Sequence, residues 1–107
     1  MEKIDIAHPP MRPEEAEQFL NDTLTRLRQE RGPTTIKIIH GHGGSGVLKQ
    51  LVQNWAYRNR SRFRAVIPGE EYDLFDPRTQ EMRKNSASTT DSDLGSGNPG
   101  MTIIWVK

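Results

Sequence analysis

The sequence predicts an α/β (α+β) sandwich of two layers, in which two helices pack on a four-stranded mixed sheet. Two observations predict this class. Strand-like and helix-like hydrophobic patterns alternate along the chain in the order βαβα, and two further strand-like segments follow. The length of 107 residues provides for one hydrophobic core but not for two. We therefore interpret residues 1–107 as a single domain with the element order βαβαββ.

The first two predicted elements are a short strand and a long helix. The run Ile4-Asp5-Ile6 alternates as a strand does, and Pro9-Pro10 ends it because proline cannot donate to a strand ladder. A helical period of 3.6 residues then relates Ala16, Phe19, Leu20, Thr23, Leu24 and Leu27. Pro13 suits the first turn of this helix, and Gly32-Pro33 ends it.

The middle of the chain predicts a strand, a second helix and a third strand. Residues Thr34 to Ile39 are mostly β-branched and are followed by glycines, as is typical of a buried strand. A helix from about Ser45 to Tyr57 is predicted by the spacing of Val47, Leu48, Leu51, Val52 and Trp55. The third strand is predicted by the alternation of Phe63, Ala65 and Ile67. The run from Thr102 to Val106 has the composition of a last strand.

The connection before the last strand is unusually long. It comprises the 33 residues between Ile67 and Met101, and connections beyond about 15 residues are usually functional or disordered. Tyr72 to Pro77 carries apolar residues that can fold back on the domain, whereas Asn85 to Gly100 is almost entirely polar and is expected to be mobile. We interpret about residues 70–98 as a long, partly disordered insertion and as a candidate site for a protein partner.

Positive charge is concentrated in the middle of the chain. The segment from Thr35 to Pro68 contains no acidic residue. Its basic residues are Lys37, Lys49, Arg58, Arg60, Arg62 and Arg64. The near-neutral total charge of +1 therefore hides a basic segment that can attract a polyanion. The alternative is a solvated face that happens to lack acids.

The composition also argues against several classes of protein. No stretch approaches the roughly 18 consecutive apolar residues of a membrane-spanning helix, so we expect no membrane partner. The sequence contains no cysteine, which rules out disulfide bonds and cysteine-based zinc sites. Together with the lack of a secretory signal pattern, this composition leads us to expect a cytoplasmic protein.

A glycine-rich turn separates the second predicted strand from the second helix. It comprises Gly41-His42-Gly43-Gly44-Ser45-Gly46. Unpaired backbone N–H groups and the positive end of the helix dipole meet at such a turn, and glycines let a phosphate approach the backbone closely. Ser45 can either cap the helix or contact the ligand. The turn therefore predicts an anion site, the alternative being a tight turn with no ligand.

The same residues match the G-x-G-x-x-G pattern of dinucleotide sites, which has to be weighed. A dinucleotide fold needs two mononucleotide-binding halves, and this chain provides barely one. A triphosphate-binding loop requires Lys and Ser or Thr after its last glycine, where this chain has Val47-Leu48. We therefore expect no nucleotide cofactor.

The chain resembles the Smr (small MutS-related) domain family. The resemblance rests on four short segments: His40-Gly41-His42-Gly43, Gly46-Val47-Leu48, Glu14-Glu15-Ala16 and Gly100-Met101-Thr102. They match the family's H-G-x-G loop, the opening of its second helix, the opening of its first helix and the G-x-T of its last strand. The resemblance implies binding of DNA or RNA and an endonuclease activity that nicks DNA or cleaves RNA. A non-catalytic binding module or a protein-interaction module is the alternative.

One motif departs from the family's pattern. The first strand of the family usually ends in D-L-H-G, whereas this chain has Asp5-Ile6-Ala7-His8 followed by proline. If the domain is catalytic, we expect His8 and His40 to be the acid and base, and Asp5 to orient a base or bind Mg²⁺ or Mn²⁺. The alternative is that Asp5 and His8 only satisfy a loop backbone and that His40 is a hydrogen-bonded residue at a strand end.

Further candidate ligand contacts lie outside the catalytic set. His42 would be charged only at mildly acidic pH, so we expect binding to tighten as the pH falls from 8 to 6 and His42→Lys to flatten this profile. Four arginines spaced by two, interleaved with Tyr57 and Phe63, predict a stripe that follows a backbone and stacks a base, although core burial is the preferred role for Phe63. The predicted nucleic-acid-binding residues are Gly41, His42, Gly43, Gly44, Ser45, Gly46, Lys49, Arg58, Arg60, Arg62 and Arg64.

Overall fold

A mixed sheet of four strands forms the centre of the molecule. The computed structural model describes residues 1–29, 35–85 and 91–107. In these residues the strands are β1 (Glu2–Asp5), β2 (Thr35–Ile39), β3 (Phe63–Pro68) and β4 (Met101–Val106). The helices are α1 (Pro13–Gln29), α2 (Val47–Arg58) and α3 (Pro77–Asn85). The strand order is β1-β2-β4-β3, with β1 parallel to β2 and β4 antiparallel to both of its neighbours.

One face of the sheet packs against α1 and α2. Alternate residues of β2, Ile36 and Ile38, belong to this core together with Leu20 of α1 and Trp55 of α2. The indole N–H of Trp55 donates a hydrogen bond of 2.8 Å to the side-chain carbonyl of Asn21, which ties the two helices together. This half of the molecule confirms the predicted sheet with two helices on it.

The other face of the sheet is covered by the insertion. Met82 of α3 and Tyr72 pack with Ile67, Ile103 and Trp105 in a second apolar cluster. The prediction did not include α3 because this helix is polar and, among its residues, only Thr79 and Met82 are buried. A third helix is therefore added to the predicted two, on the opposite side of the sheet.

A buried ion pair holds the last part of the insertion on the sheet. The Lys37 ammonium lies 2.5 Å from a carboxylate oxygen of Asp91 and 2.5 Å from one of Asp93. The Tyr72 hydroxyl donates to the other oxygen of Asp91 at 3.0 Å. Residues 91–100 thus contact the body of the domain through defined bonds, whereas residues 86–90 lie outside the described residues, and mobility of the segment stays a prediction.

The structure corrects one predicted helix start and the predicted side of one strand residue. Helix α2 begins at Val47 rather than near Ser45. Strand β3 contains a bulge between Phe63 and Ala65, so Phe63 faces α1 and α2 while Ile67 faces the insertion. The prediction that Phe63 and Ile67 share one side of the sheet is therefore wrong.

Thr34 and the predicted helix end at Gly32-Pro33 lie outside the described residues. No helix of the described part is long and apolar enough to cross a membrane.

Candidate functional site

The glycine-rich turn forms an open loop between β2 and α2. Gly46 is the N-cap residue of α2 with φ of +70°, a left-handed conformation that favours glycine, and no side chain caps this helix end. The first backbone N–H groups of α2 accordingly lack both an intrahelical acceptor and a capping side chain. Of the two roles left open for Ser45, the capping role is wrong. Side-chain positions at Gly43, Gly44 and Gly46 would meet open space.

This loop forms one wall of a cleft of about 580 Å³. The opposite wall is the segment after β1, where His8 and Met11 face the loop residues. His40, at the end of β2, also lines the cleft. The structure thus brings together two of the three predicted catalytic residues and most of the predicted phosphate-binding loop. Asp5 is not among the described residues that line the cleft.

His40 is held by hydrogen bonds at both ring nitrogens. Nδ1 donates to the carbonyl of Gly41 at 2.8 Å, so Nε2 is the unprotonated nitrogen and accepts from the Thr102 hydroxyl at 2.9 Å. The residue is only 4% exposed. Burial lowers the pKa of His40, and the positive charge of Lys49 lowers it further, although the bond to Gly41 opposes them. His40 is therefore a neutral, structural residue in this geometry rather than one with a nitrogen free for proton transfer.

Two of the segments that carry the family resemblance, His40–Gly43 and Gly100–Thr102, are hydrogen-bonded to each other. The Gly100 carbonyl accepts hydrogen bonds from the N–H groups of His40 and Gly41, at 2.9 and 3.0 Å. A Cβ on Gly100 would lie 3.2 Å from the ring of His42, so glycine allows the two segments to approach. Thr102 then reaches His40 with its hydroxyl. The Gly-Met-Thr segment thus fixes the base of the glycine loop, a role that the sequence analysis did not assign to it.

Asp5 and His8 form a hydrogen-bonded pair at the edge of the cleft. Nδ1 of His8 donates to the Asp5 carboxylate at 3.0 Å, and the N–H groups of Ala7 and His8 donate to the same carboxylate at 2.8 and 3.1 Å. Burial alone would raise the pKa of Asp5, but these hydrogen bonds outweigh it and the pKa is lowered. The His8 side chain is 71% exposed. Its Nε2 forms no hydrogen bond with any residue that the structure describes.

The basic residues do not form the single stripe that their spacing predicted. Lys37, which was counted with the basic segment and not with the stripe, is buried against the insertion. The Arg64 guanidinium lies over the ring of Trp105, 5.4 Å from its centroid, toward the insertion. Phe63 is 5% exposed in the core, which confirms the burial that was preferred for it. The prediction of one continuous row of arginine and aromatic side chains is therefore wrong.

Four basic residues remain on α2 and the turn that follows it. Arg58 forms an ion pair with Glu17 of α1. Arg60 lies over the ring of Tyr57, with its guanidinium carbon 4.0 Å from the ring centroid. The Lys49 ammonium lies 3.1 Å from the Glu70 carboxylate. The guanidinium of Arg62, in the same turn as Arg60, donates to the side-chain carbonyl of Asn59 at 3.4 Å. Local partners thus orient the side chains of this basic segment.

The described residues do not provide a metal site. Residues 1–29, 35–85 and 91–107 contain no group of three or more His, Asp or Glu side chains arranged to hold an ion. The Asp5 carboxylate, the predicted ligand, already accepts bonds from Ala7 and His8. The donor set therefore does not fit a divalent ion held by the protein alone.

Comparison with known proteins assigns the fold to a family. A family model described as the Smr domain matches residues 9–74, which is more than half of the chain. The chain belongs to the Smr domain family. No curated protein and no solved structure matches it significantly.

The Smr match covers the glycine loop, the whole of α2 and the basic turn after it. It supports a domain of a nucleic-acid-binding and endonuclease family. Asp5 and His8 precede the matched residues, and so does the whole of β1. The match thus includes the glycine loop, whereas His8, on the opposite wall of the cleft, lies outside it.

Proposed function

We propose that this Smr domain binds the phosphate backbone of a nucleic acid in the cleft between the glycine loop and the segment after β1. The observation that supports this best is the uncapped N-terminus of α2 at Gly46, which opens into the cleft beside glycines whose side-chain positions are empty. Free backbone N–H groups and the positive end of a helix dipole attract a phosphate oxygen.

Charge around the cleft supports the same ligand. The segment from Thr35 to Pro68 carries only basic charges, of which Lys37 and Arg64 lie on the insertion side of the sheet. Arg58 lies with Ser45 and Gly46 along a shallow surface that continues from the glycine loop over α2, together with its ion-pair partner Glu17. A nucleic acid that passes over the loop therefore meets the Arg58–Glu17 ion pair, where its phosphates can compete with Glu17 for the guanidinium. The backbone groups and charges contain no feature that reads a base edge, so binding at the cleft is independent of sequence.

A salt titration tests this proposal. Binding of a labelled single-stranded oligonucleotide to the wild-type chain should weaken about sevenfold or more between 50 and 200 mM salt, because contacts to at least two phosphates release counterions. The same series with duplex DNA and structured RNA identifies the preferred ligand. Affinity that does not change with salt would contradict backbone binding, and failure to bind any nucleic acid at low salt would favour the protein-interaction alternative.

A second proposal is that the domain cleaves the strand it binds, with His8 as general base. The Asp5–His8 pair supports it, because a carboxylate that accepts the Nδ1 proton leaves Nε2 as the proton acceptor. Nε2 takes a proton from a water molecule whose oxygen attacks the phosphorus atom. The bond from phosphorus to the leaving oxygen breaks, and that oxygen takes a proton from solvent. The glycine loop's N–H groups stabilise the charge on the phosphoryl oxygens.

A nuclease assay separates the catalytic domain from a binding module. Plasmid DNA and structured RNA are incubated with the chain, each with and without Mg²⁺ or Mn²⁺, because the resemblance suggested these ions. His8→Ala should reduce cleavage at least about 100-fold, the usual contribution of a general base. Equal cleavage by wild type and His8→Ala would contradict His8 as the general base, and absence of cleavage by the wild type would leave the chain a binding module.

A further inference from the structure

A second groove of about 290 Å³ runs along another face of α2. It lies between this helix and the end of β3, and none of its described lining residues lines the cleft. Its sides are formed by Tyr57 and Arg60 at one end and by Lys49 and Glu70 at the other. Ala56 and Val66 give it an apolar floor. The groove therefore combines a small apolar surface with charged ends.

The first end of the groove is a preformed stack. Tyr57 is 66% exposed, so its ring is accessible from the groove. Arg60 lies over this ring and also donates a hydrogen bond of 2.7 Å to the Tyr57 backbone carbonyl, so its guanidinium is held above the ring. Aromatic rings and guanidinium planes are the surfaces on which proteins stack nucleobases.

The second end of the groove is polar and adjoins the cleft. Lys49 and Glu70 face each other at 3.1 Å, and Thr102 lies beside them. The Thr102 hydroxyl donates to His40, which lines the cleft on the other side. The hydrogen-bonded pair of His40 and Thr102 thus lies between the cleft and the groove.

We propose that the groove binds one unpaired nucleobase of the strand whose backbone lies in the cleft. A base has flat apolar faces and polar edges, which match the apolar floor and the Tyr57–Arg60 stack together with the Lys49–Glu70 end. The two cations and one carboxylate leave the groove positive, as the adjacent phosphates require. This inference rests on the proposed backbone binding and adds that the ligand is single-stranded at this point.

Matched single strands with and without bases test the inference. The probes are a labelled oligonucleotide and an abasic strand of the same length, which keeps the phosphates and loses the stacking surfaces. Wild type should bind the normal strand about tenfold more tightly than the abasic one, the effect of stacking one base. Tyr57→Ala should remove most of this difference between the two strands.

The controls are a conservative substitution of Tyr57 and the removal of an exposed aromatic ring elsewhere. Tyr57→Phe keeps the ring and should behave as wild type. Phe75→Ala removes an aromatic ring that is 89% exposed outside the groove, and it should leave both affinities unchanged. Equal affinities of wild type for the two strands, or equal losses in Tyr57→Ala and Phe75→Ala, would overturn the base-binding groove alone. Absence of binding to either strand at low salt would overturn the proposed backbone binding itself.

Discussion

His8 and His40 line the same cleft from opposite walls, and their side chains are held in different ways. His40 follows β2, is almost completely buried, and uses both ring nitrogens in hydrogen bonds within the domain. His8 follows β1, is mostly exposed, and uses only Nδ1, which Asp5 orients. His40, in the segment that matches the family's H-G-x-G loop, is thus a structural residue. His8, in the segment that departs from the family's pattern, keeps a ring nitrogen available for chemistry.

This difference follows from where the two loops lie in the sheet. Strand β2 is central, so the residue at its end is covered by β4 and meets Thr102 and the Gly100 carbonyl. Strand β1 is at the edge, and the residues after it have the sheet on one side only. A motif histidine is therefore not sufficient evidence of catalysis, because its chemistry depends on whether the fold leaves a ring nitrogen free.

The largest expected effect on stability comes from removing the buried histidine. His40→Ala should lower the free energy of unfolding by about 2 to 3 kcal/mol, since it deletes two hydrogen bonds and leaves the Thr102 hydroxyl and the Gly41 carbonyl without their partner. His8→Ala should change it by no more than about 0.5 kcal/mol, as is usual at exposed sites. Urea denaturation of the two variants measures both values, and equal losses would refute the contrast.

A smaller loss is expected when only one bond of His40 is removed. Thr102→Val keeps the size of the side chain and its place in β4 but leaves Nε2 of His40 without a donor. We expect a loss of about 1 kcal/mol in the free energy of unfolding, because a buried acceptor loses its partner. Thr25→Val is the control, since the Thr25 hydroxyl only bonds within α1 on an exposed surface. A loss at Thr102 no larger than at Thr25 would argue against the His40–Thr102 bond.

The smallest effect is a pH dependence. Burial lowers the pKa of His40 in the folded state, so below the unfolded value of about 6.5 the unfolded chain binds more protons than the folded one. His40 therefore contributes stability that is present above this pH and is lost as the pH falls toward the folded pKa. Denaturation at several values between pH 7 and pH 5 should show a slope that His40→Asn reduces. An unchanged slope in His40→Asn would be inconsistent with this assignment.

The pattern of the sequence was sufficient to predict the sheet, α1, α2 and the glycine loop. These elements have strong local signals: the spacing of Leu20, Leu24 and Leu27, the β-branched run of β2 and the glycines themselves. His8 and His40 were proposed together as acid and base, but the cleft itself was not predicted, because it depends on the parallel pairing of β1 and β2.

The partners of these residues could not be predicted, since they are distant in the sequence. Thr102 lies 62 positions after His40, and Asp91 lies 54 positions after Lys37. Lys37 was counted with the basic segment, but a strand residue faces one side of the sheet only, and here it faces the insertion. The bulge in β3 likewise depends on its pairing with β4, so alternation alone gave Phe63 the wrong side.

Binding by a variant pair at Gly43 tests the central claim most directly. Gly43 lines the cleft, does not have a positive φ, and offers open space for a side chain, so substitution there leaves the fold intact. Gly43→Asp places a negative charge where we expect the phosphate, and Gly43→Asn adds a neutral group of the same shape. At 50 mM salt, Gly43→Asp should bind a single-stranded oligonucleotide about tenfold more weakly than Gly43→Asn, because like charges repel most strongly at low ionic strength. Equal affinities of the two variants would contradict binding of the nucleic-acid backbone at the glycine loop.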